Sequence, residues 1–121
     1  MRLQATDPDL ETLVARIERD DIDLQPDFQR GEIWAPSKKR KLIDSILRGW
    51  HVPPIHLVVR EGGVQEVLDG QQRLAAIRDF CRNEFPVDGM IEPYDPTVSA
   101  LHGLRFRELP GEIRRNFNTF T

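Results

Sequence analysis

The sequence predicts an α+β domain in which a small mixed sheet is packed by helices. This prediction rests on the order of the apolar patterns, which gives helix, strand, helix, two strands, helix and helix along the chain. Helices repeat apolar residues every three or four positions, whereas strands alternate them or are rich in β-branched residues. The length of 121 residues suits one modest core. We therefore expect residues 1–121 to form a single domain.

The first predicted helix begins at Asp7, and a short strand follows at residues 22–25. Asp7 suits the N-cap position and Pro8 the first turn, where its missing N–H group costs nothing. Pro26 ends the strand. The helix face with three-four spacing, which is predicted to be buried, comprises Leu10, Leu13, Val14 and Ile17.

The central part of the chain predicts one helix and one hairpin. The helix starts at residues 35–37 and ends with Gly49 as the residue after its C-cap. Residues 55–60 are rich in β-branched side chains and predict a strand. The Glu-Gly-Gly sequence at 61–63 predicts a tight turn into a second strand at 64–68. The buried face of the helix is predicted to comprise Leu42, Ile43, Ile46 and Leu47.

Two more helices follow the hairpin. The first is predicted to end near Arg82, and the last is entered through Pro110. Between them, residues 84–103 predict an ordered loop, because glycines, prolines and isolated apolar residues show no period. The apolar positions of the last helix are Leu109, Ile113 and Phe117. Phe117 and Phe120 would be poorly covered in a free domain, so we expect the chain to be the leading part of a longer protein.

The composition is that of a soluble globular chain, 39% hydrophobic and 31% charged. Its apolar runs are too short to span a bilayer, and its N-terminus has no signal-peptide pattern. The single cysteine, Cys81, excludes an internal disulfide, and we expect a cytoplasmic protein in which this thiol packs as a small apolar group. The three histidines lack metal-ligand spacing, so no metal site is predicted. The net charge of -3 argues against nonspecific coating of nucleic acid.

The most informative stretch lies where the hairpin gives way to a helix. It comprises Asp69, Gly70, Gln71, Gln72 and Arg73, and we refer to it as the junction segment. Gly70 would let a ligand approach the backbone, the helix N-terminus favours an anion, and Arg73 suits phosphate. Asp69 and Gln72 also fit a capping box, which needs no ligand. A capping box does not explain Gln71 and Arg73, so the segment predicts an anion site.

A second polar cluster precedes the second helix. Gln29 and Arg30 could donate to phosphate oxygens, and Phe28 or Trp34 could stack on a base. The alternative is that both aromatic side chains fill the core while Arg30 is solvated.

A run of four bases, Lys38, Lys39, Arg40 and Lys41, occupies the first turn of the second helix. Positive charge there opposes the helix macrodipole and costs stability. A solvated face is the common explanation of such a run. The alternative is a focused positive potential that suits a polyanion such as DNA or a triphosphate. We treat these bases, with Phe28, as a candidate nucleic-acid contact.

In combination these motifs resemble the DGQQR family, the N-terminal domains of GmrS-type modification-dependent restriction proteins and of Ssp-type sensors of phosphorothioate DNA. The resemblance covers residues 7–82 in order and residues 104–117 more loosely. The motifs that carry it are Gln25-Pro26-Asp27-Phe28-Gln29-Arg30, Trp34, Leu42-Ile43-Asp44-Ser45-Ile46-Leu47-Arg48-Gly49, Pro53-Pro54-Ile55 and Asp69-Gly70-Gln71-Gln72-Arg73-Leu74.

The resemblance implies a ParB/sulfiredoxin-like fold that binds a nucleoside triphosphate (ATP, GTP or CTP), with or without Mg²⁺, and gates a downstream nuclease domain or subunit. It assigns phosphate binding and hydrolysis to the junction segment, with Gln29 and Arg30 facing it. Gln71 stands where sulfiredoxins carry a reactive cysteine, so sulfinic-acid repair is not expected. The chain also lacks a His-Asn-His nuclease constellation, so DNA would be cleaved by residues outside it and contacted through the full-length protein.

Three hypotheses therefore remain open at the level of sequence. The first is a nucleoside triphosphatase domain that regulates a nuclease in defence against foreign or modified DNA. The second is a module that binds nucleotide or modified DNA without turnover, which would use the same residues. The third is an interaction scaffold whose junction segment is only a helix cap.

Overall fold

The computed structural model describes residues 2–3, 8–24, 34–53, 55–59 and 61–121. In that part of the chain the helices are α1 (Leu10–Glu18), α2 (Pro36–Leu47), α3 (Gln71–Cys81), the single turn α4 (Pro96–Ser99) and α5 (Gly111–Asn118). The strands are β1 (Arg2–Leu3), β2 (Ile22–Asp23), β3 (His56–Val59) and β4 (Gln65–Asp69). The predicted order of helices and strands is confirmed, and β1 and α4 are additions that are too short to produce a periodic pattern.

The strands form one mixed sheet in the order β1-β3-β4-β2. The hairpin strands β3 and β4 are antiparallel, and β1 pairs antiparallel with β3. By contrast, β2 runs parallel to β4, with Ile22 opposite Gln65. A chain path that combines a hairpin with a helical crossover requires both kinds of pairing. The predicted α+β class with a small mixed sheet is confirmed.

The start of α1 differs from the prediction. Its N-cap is Asp9, whose Oδ1 accepts a hydrogen bond of 2.9 Å from the Thr12 backbone N–H. The predicted cap at Asp7 is therefore wrong, and Asp7 itself lies outside the described residues. An N-cap side chain accepts a hydrogen bond from the backbone N–H three residues later. Because the helix begins only at Leu10, Asp9 and not Asp7 is in the position to do so.

Four phenylalanine rings form the part of the core between α3 and α5. Phe80 lies 5.5 Å from Phe85, 5.8 Å from Phe106 and 5.4 Å from Phe117, measured between ring centroids. Phe117 is buried, so the expectation that it would be poorly covered is wrong. Phe106 supplies part of that cover at 5.6 Å. Phe120 is half-buried, and its carbonyl accepts a 3.0 Å hydrogen bond from the Leu10 N–H, which joins the two ends of the helical layer.

A buried ion pair fixes the segment between α3 and α5 to α2. Asp44 and Arg48 lie one turn apart, with Oδ2 and Nε separated by 2.9 Å and both side chains 3% exposed. Arg48 Nη2 also donates to the Ile91 carbonyl at 2.8 Å. Residues 84–103, predicted to be a loop without a helix or strand, contain the single turn α4, so that part of the prediction is wrong. None of the helices in the described ranges has the length and apolar character needed to cross a membrane.

Candidate functional site

Gly70 forms the turn between β4 and α3. It is the N-cap of α3 and adopts a left-handed backbone conformation, φ +100° and ψ 18°. A Cβ atom at this position would lie 2.9 Å from Ile55 Cγ1 and 3.2 Å from Arg73 Nη2. Only glycine fits both this conformation and this space. Ile55 and Arg73 occupy the space beside Gly70, and the predicted approach of a ligand to this backbone remains a prediction.

The predicted capping box is wrong. Asp69 is the last residue of β4 and pairs with His56 in the ladder, so the helix begins one residue later than a cap at Asp69 requires. Gln72 is engaged elsewhere, since its Oε1 lies 3.5 Å from the Trp34 backbone N–H. That contact brings Trp34, two residues before α2, to the first turn of α3. The side chain of Asp69 lies outside the described part of the structure.

Gln71 ties the helix to the preceding strand. Its Nε2 donates a 3.0 Å hydrogen bond to the carbonyl oxygen of Val67. A side chain that satisfies a strand carbonyl contributes to stability as well as to any chemistry at the site. Both glutamines of the junction segment therefore make contacts within the domain, and the roles in hydrolysis that the resemblance implies remain predictions.

Arg73 borders a cavity of about 190 Å³. The walls of this cavity are mainly apolar, with Ile77 one helical turn after Arg73 and Ile55 and Phe120 among the other lining residues, and His51 adds an imidazole. Arg73 is half-buried and interacts with other groups of the domain, although its Nε atom has no hydrogen-bond acceptor within the described residues. A guanidinium among apolar walls interacts strongly with an anion, because little water screens it.

The basic run at the start of α2 is not one solvated patch. Lys39 Nζ lies 3.3 Å from Asp79 Oδ2, and Arg78 contacts the other oxygen of the same carboxylate at 2.9 Å. Lys38 Nζ lies 4.8 Å from the centre of the Trp34 ring, where a cation–π interaction attracts it. Arg40 is half-buried and Lys41 is exposed. The fold therefore divides the run, with Lys39 bridging α2 to α3 and Lys38 lying beside the tryptophan whose backbone contacts Gln72.

Sequence reasoning missed Asp79 as a partner of the basic run. Asp79 is buried on α3, seven residues after Gln72. That spacing places both residues on one face of the helix, and a carboxylate in an otherwise apolar stretch is the signal that could have indicated a buried pair. The second predicted cluster is not tested, because Phe28, Gln29 and Arg30 lie in residues 25–33, outside the described residues.

Cys81 is half-buried at the C-terminal end of α3. Burial raises the pKa of its thiol to about 12, and the carboxylate of Glu18 adds to this rise. The thiolate is the nucleophilic form, so this burial disfavours reaction of Cys81 at neutral pH. This agrees with the expectation of a packed, apolar-like thiol.

Residues 10–120 match the family described as the GmrSD restriction endonuclease, N-terminal domain. The chain belongs to this family. The match spans the structure from the first residue of α1 to beyond α5, including the junction segment. It confirms the GmrS-type part of the resemblance and makes the chain a restriction-system module of the kind linked to a nuclease. The ParB/sulfiredoxin-like relationship remains a prediction. No curated protein and no solved structure matches the chain.

Proposed function

We propose that this domain binds a nucleoside triphosphate at the junction segment and thereby controls the nuclease of its restriction system. The observation that supports this most is the position of Arg73. Its guanidinium folds back over Gly70, at the start of an 11-residue helix that has no side-chain cap. Helix N-termini favour anions, and an arginine fork adds charge-assisted hydrogen bonds to phosphate oxygens. Family membership supplies the link to a nuclease.

The groups around the junction segment support a triphosphate rather than a smaller anion. Lys38 adds a second cation next to Trp34, which contacts Gln72. Gln29 and Arg30 are expected to add further donors, as the family resemblance implies. Asp69 would hold Mg²⁺ or accept a proton from water, the two roles open to a carboxylate beside a triphosphate. Together these residues would neutralise phosphate charge, which is the main requirement of phosphoryl transfer.

In the first candidate function the domain hydrolyses the bound nucleotide, and Gln72 is a better candidate than Gln71 to orient the attacking water. Gln71 would first have to release the Val67 carbonyl. The same observation favours a second candidate function, a module that binds nucleotide without turning it over. In that case the glutamines position the helix, and nucleotide occupancy alone is the signal.

Calorimetric titration of the chain with ATP, GTP and CTP, each with and without Mg²⁺, tests the proposal. We expect heat of binding with at least one nucleotide. Arg73→Ala should weaken that binding by roughly tenfold to a hundredfold, because a hydrogen bond to a charged group contributes about 1.5–3 kcal/mol. Arg19→Ala is the matched control, since Arg19 is an exposed arginine at the end of α1. Absence of heat with all three nucleotides would contradict the proposal, as would equal effects of the two substitutions.

Phosphate release under the same conditions separates the two candidate functions. Turnover that falls in Gln72→Ala while nucleotide affinity is retained would support hydrolysis. Binding without phosphate release would support the non-hydrolysing module. Thermal unfolding of each variant serves as the control, because Gln72 also contacts Trp34 and its loss could loosen the first turn of α3.

A further inference from the structure

The cavity beside Arg73 is bordered by three helices and β3. Four of its apolar lining residues are Leu13 on α1, Ile46 on α2, Leu57 on β3 and Ile77 on α3. All four side chains are buried in the core. Protein cores are close-packed, and few of their voids exceed a water molecule in size. A cavity of about 190 Å³ is therefore larger than ordinary packing leaves, and it can hold a small ligand.

The size of the cavity suits an aromatic ring. An apolar cavity of about 150 Å³ in a protein core binds benzene, so a cavity of about 190 Å³ accommodates a ring of roughly nucleobase size. It is too small for a whole nucleotide, because pockets for larger ligands measure about 300–1,000 Å³. Two exposed lining residues, His51 and Pro53, form a mouth through which a ring can enter. The imidazole of His51 can exchange a hydrogen bond with the polar edge of a base.

The cavity shares two walls with the turn at Gly70. Ile55 Cγ1 and Arg73 Nη2 lie 2.9 and 3.2 Å from the Cβ position of Gly70, and both residues also line the cavity. Arg73 therefore borders both the N-terminus of α3 and the cavity. Its charge and the positive end of the helix favour an anionic group at this border, whereas the apolar walls favour an uncharged ring. A ligand in which a ring is joined to phosphates has the same distribution of polarity.

Resting on the nucleotide binding proposed above, we infer that the base of the bound nucleoside triphosphate occupies this cavity. Its phosphates contact Arg73 and the first turn of α3. The cavity then supplies the contacts that distinguish a nucleotide from an inorganic anion of similar charge. Predominantly apolar walls with a few polar groups that fix orientation are typical of such ligand pockets.

Calorimetric titration with inorganic tripolyphosphate and with the tightest-binding of ATP, GTP and CTP, each with Mg²⁺, separates the base from the phosphates. We expect the nucleotide to bind at least about tenfold more tightly, because its ring leaves water on entering the cavity. Val52 is a half-buried lining residue, and Val52→Phe should fill part of the cavity. This variant should bind the nucleotide no more tightly than tripolyphosphate, with tripolyphosphate binding unchanged. Val64→Phe is the matched control, since Val64 is 39% exposed and is not a lining residue.

Methyl resonances in NMR spectra give a test that needs no substitution. The ring current of the base should shift the methyl signals of Leu13, Ile46 and Ile77 when the nucleotide is added, whereas tripolyphosphate should leave them in place. Val98 is the internal control, because it is a buried valine that does not line the cavity.

Three results would overturn the inference while leaving nucleotide binding at the junction segment intact. They are equal affinities for nucleotide and tripolyphosphate, equal effects of Val52→Phe and Val64→Phe, and cavity methyl signals that the nucleotide does not move. Absence of binding by nucleotide and tripolyphosphate alike would instead contradict the proposed function itself, and the inference with it.

Discussion

Single residues of the junction segment are constrained by the fold before any ligand is considered. Gly70 occupies a conformation and a space that exclude side chains, and Gln71 satisfies a strand carbonyl. Arg73 is held against Gly70 at the border of a cavity. Groups held in this way would need little reordering to bind the proposed nucleotide.

Gly70→Ala should lower the free energy of unfolding by about 2–5 kcal/mol. A left-handed backbone costs an L-residue about 1–2 kcal/mol, and overpacking against Ile55 and Arg73 adds about 1–3 kcal/mol. Gly62→Ala is the matched control, because Gly62 has φ +87° but no atom within 4 Å of an added Cβ. The loss of unfolding free energy in Gly62→Ala should therefore be confined to the cost of the left-handed backbone. Urea unfolding of both variants measures the difference, and equal losses would show that the space around Gly70 is not restrictive.

At the scale of elements, the helix termini differ in how their orphan N–H groups are satisfied. Asp9 caps α1 with its carboxylate, whereas the N-cap residues of α2 and α3, Ala35 and Gly70, make no side-chain cap hydrogen bond. Capping groups contribute to local stability, and an uncapped N-terminus keeps its positive end available to other partners. The helix that borders the proposed nucleotide site is one of the uncapped ones.

Asp9→Ala should cost about 1 kcal/mol at neutral pH, the usual contribution of an N-cap. The hydrogen bond from Thr12 lowers the pKa of Asp9 in the folded state. The associated stability is therefore fully present above the unfolded pKa, about 3.9 for an aspartate, and is lost as the pH falls through the folded value. Asp9→Asn retains a capping oxygen and should remove mainly the pH dependence. Urea unfolding at several pH values checks this, and a constant difference between wild type and Asp9→Ala would contradict it.

At the scale of the whole molecule, a buried ion pair links α2 to the segment between α3 and α5. Asp44 and Arg48 connect α2 to Ile91, and the phenylalanine cluster connects α3 to α5. The two sets of contacts hold residues 84–103 in place from both sides. Long-range ties of this kind allow a segment with little regular structure to remain ordered.

Asp44→Ala should destabilise the domain by about 3–5 kcal/mol, because it leaves the buried charge of Arg48 without its counterion. Asp21→Ala is the matched control, since the Arg19–Asp21 pair has side chains 65% and 51% exposed. An exposed pair contributes at most about 1 kcal/mol. Thermal unfolding compares the two variants. Similar losses of stability in the two variants would mean that burial of the Asp44–Arg48 pair does not matter. A double variant with Asp44→Ala and Arg48→Met should lose less stability than Asp44→Ala alone if the unpaired charge of Arg48 is the cause.

The sequence by itself determined the α+β class, the positions of α1, α2, α3 and α5, their buried faces, the hairpin and the importance of Gly70. These properties follow from local periodicity and from backbone rules that act over a few residues. The motif order also predicted the family. By contrast, the boundaries of elements depend on side-chain geometry. The pattern alone placed the cap of α1 at Asp7, two residues before the observed cap at Asp9.

Only the tertiary structure decided what the polar side chains contact. The hydrogen bonds from Trp34 to Gln72, from Lys39 to Asp79 and from Arg48 to Ile91 join residues 38 to 43 positions apart. No local pattern encodes such pairs, because each depends on how complete helices pack. The same packing buried Phe117, which the sequence predicted to be poorly covered, since Phe80 and Phe106 come from elements whose proximity only the fold creates.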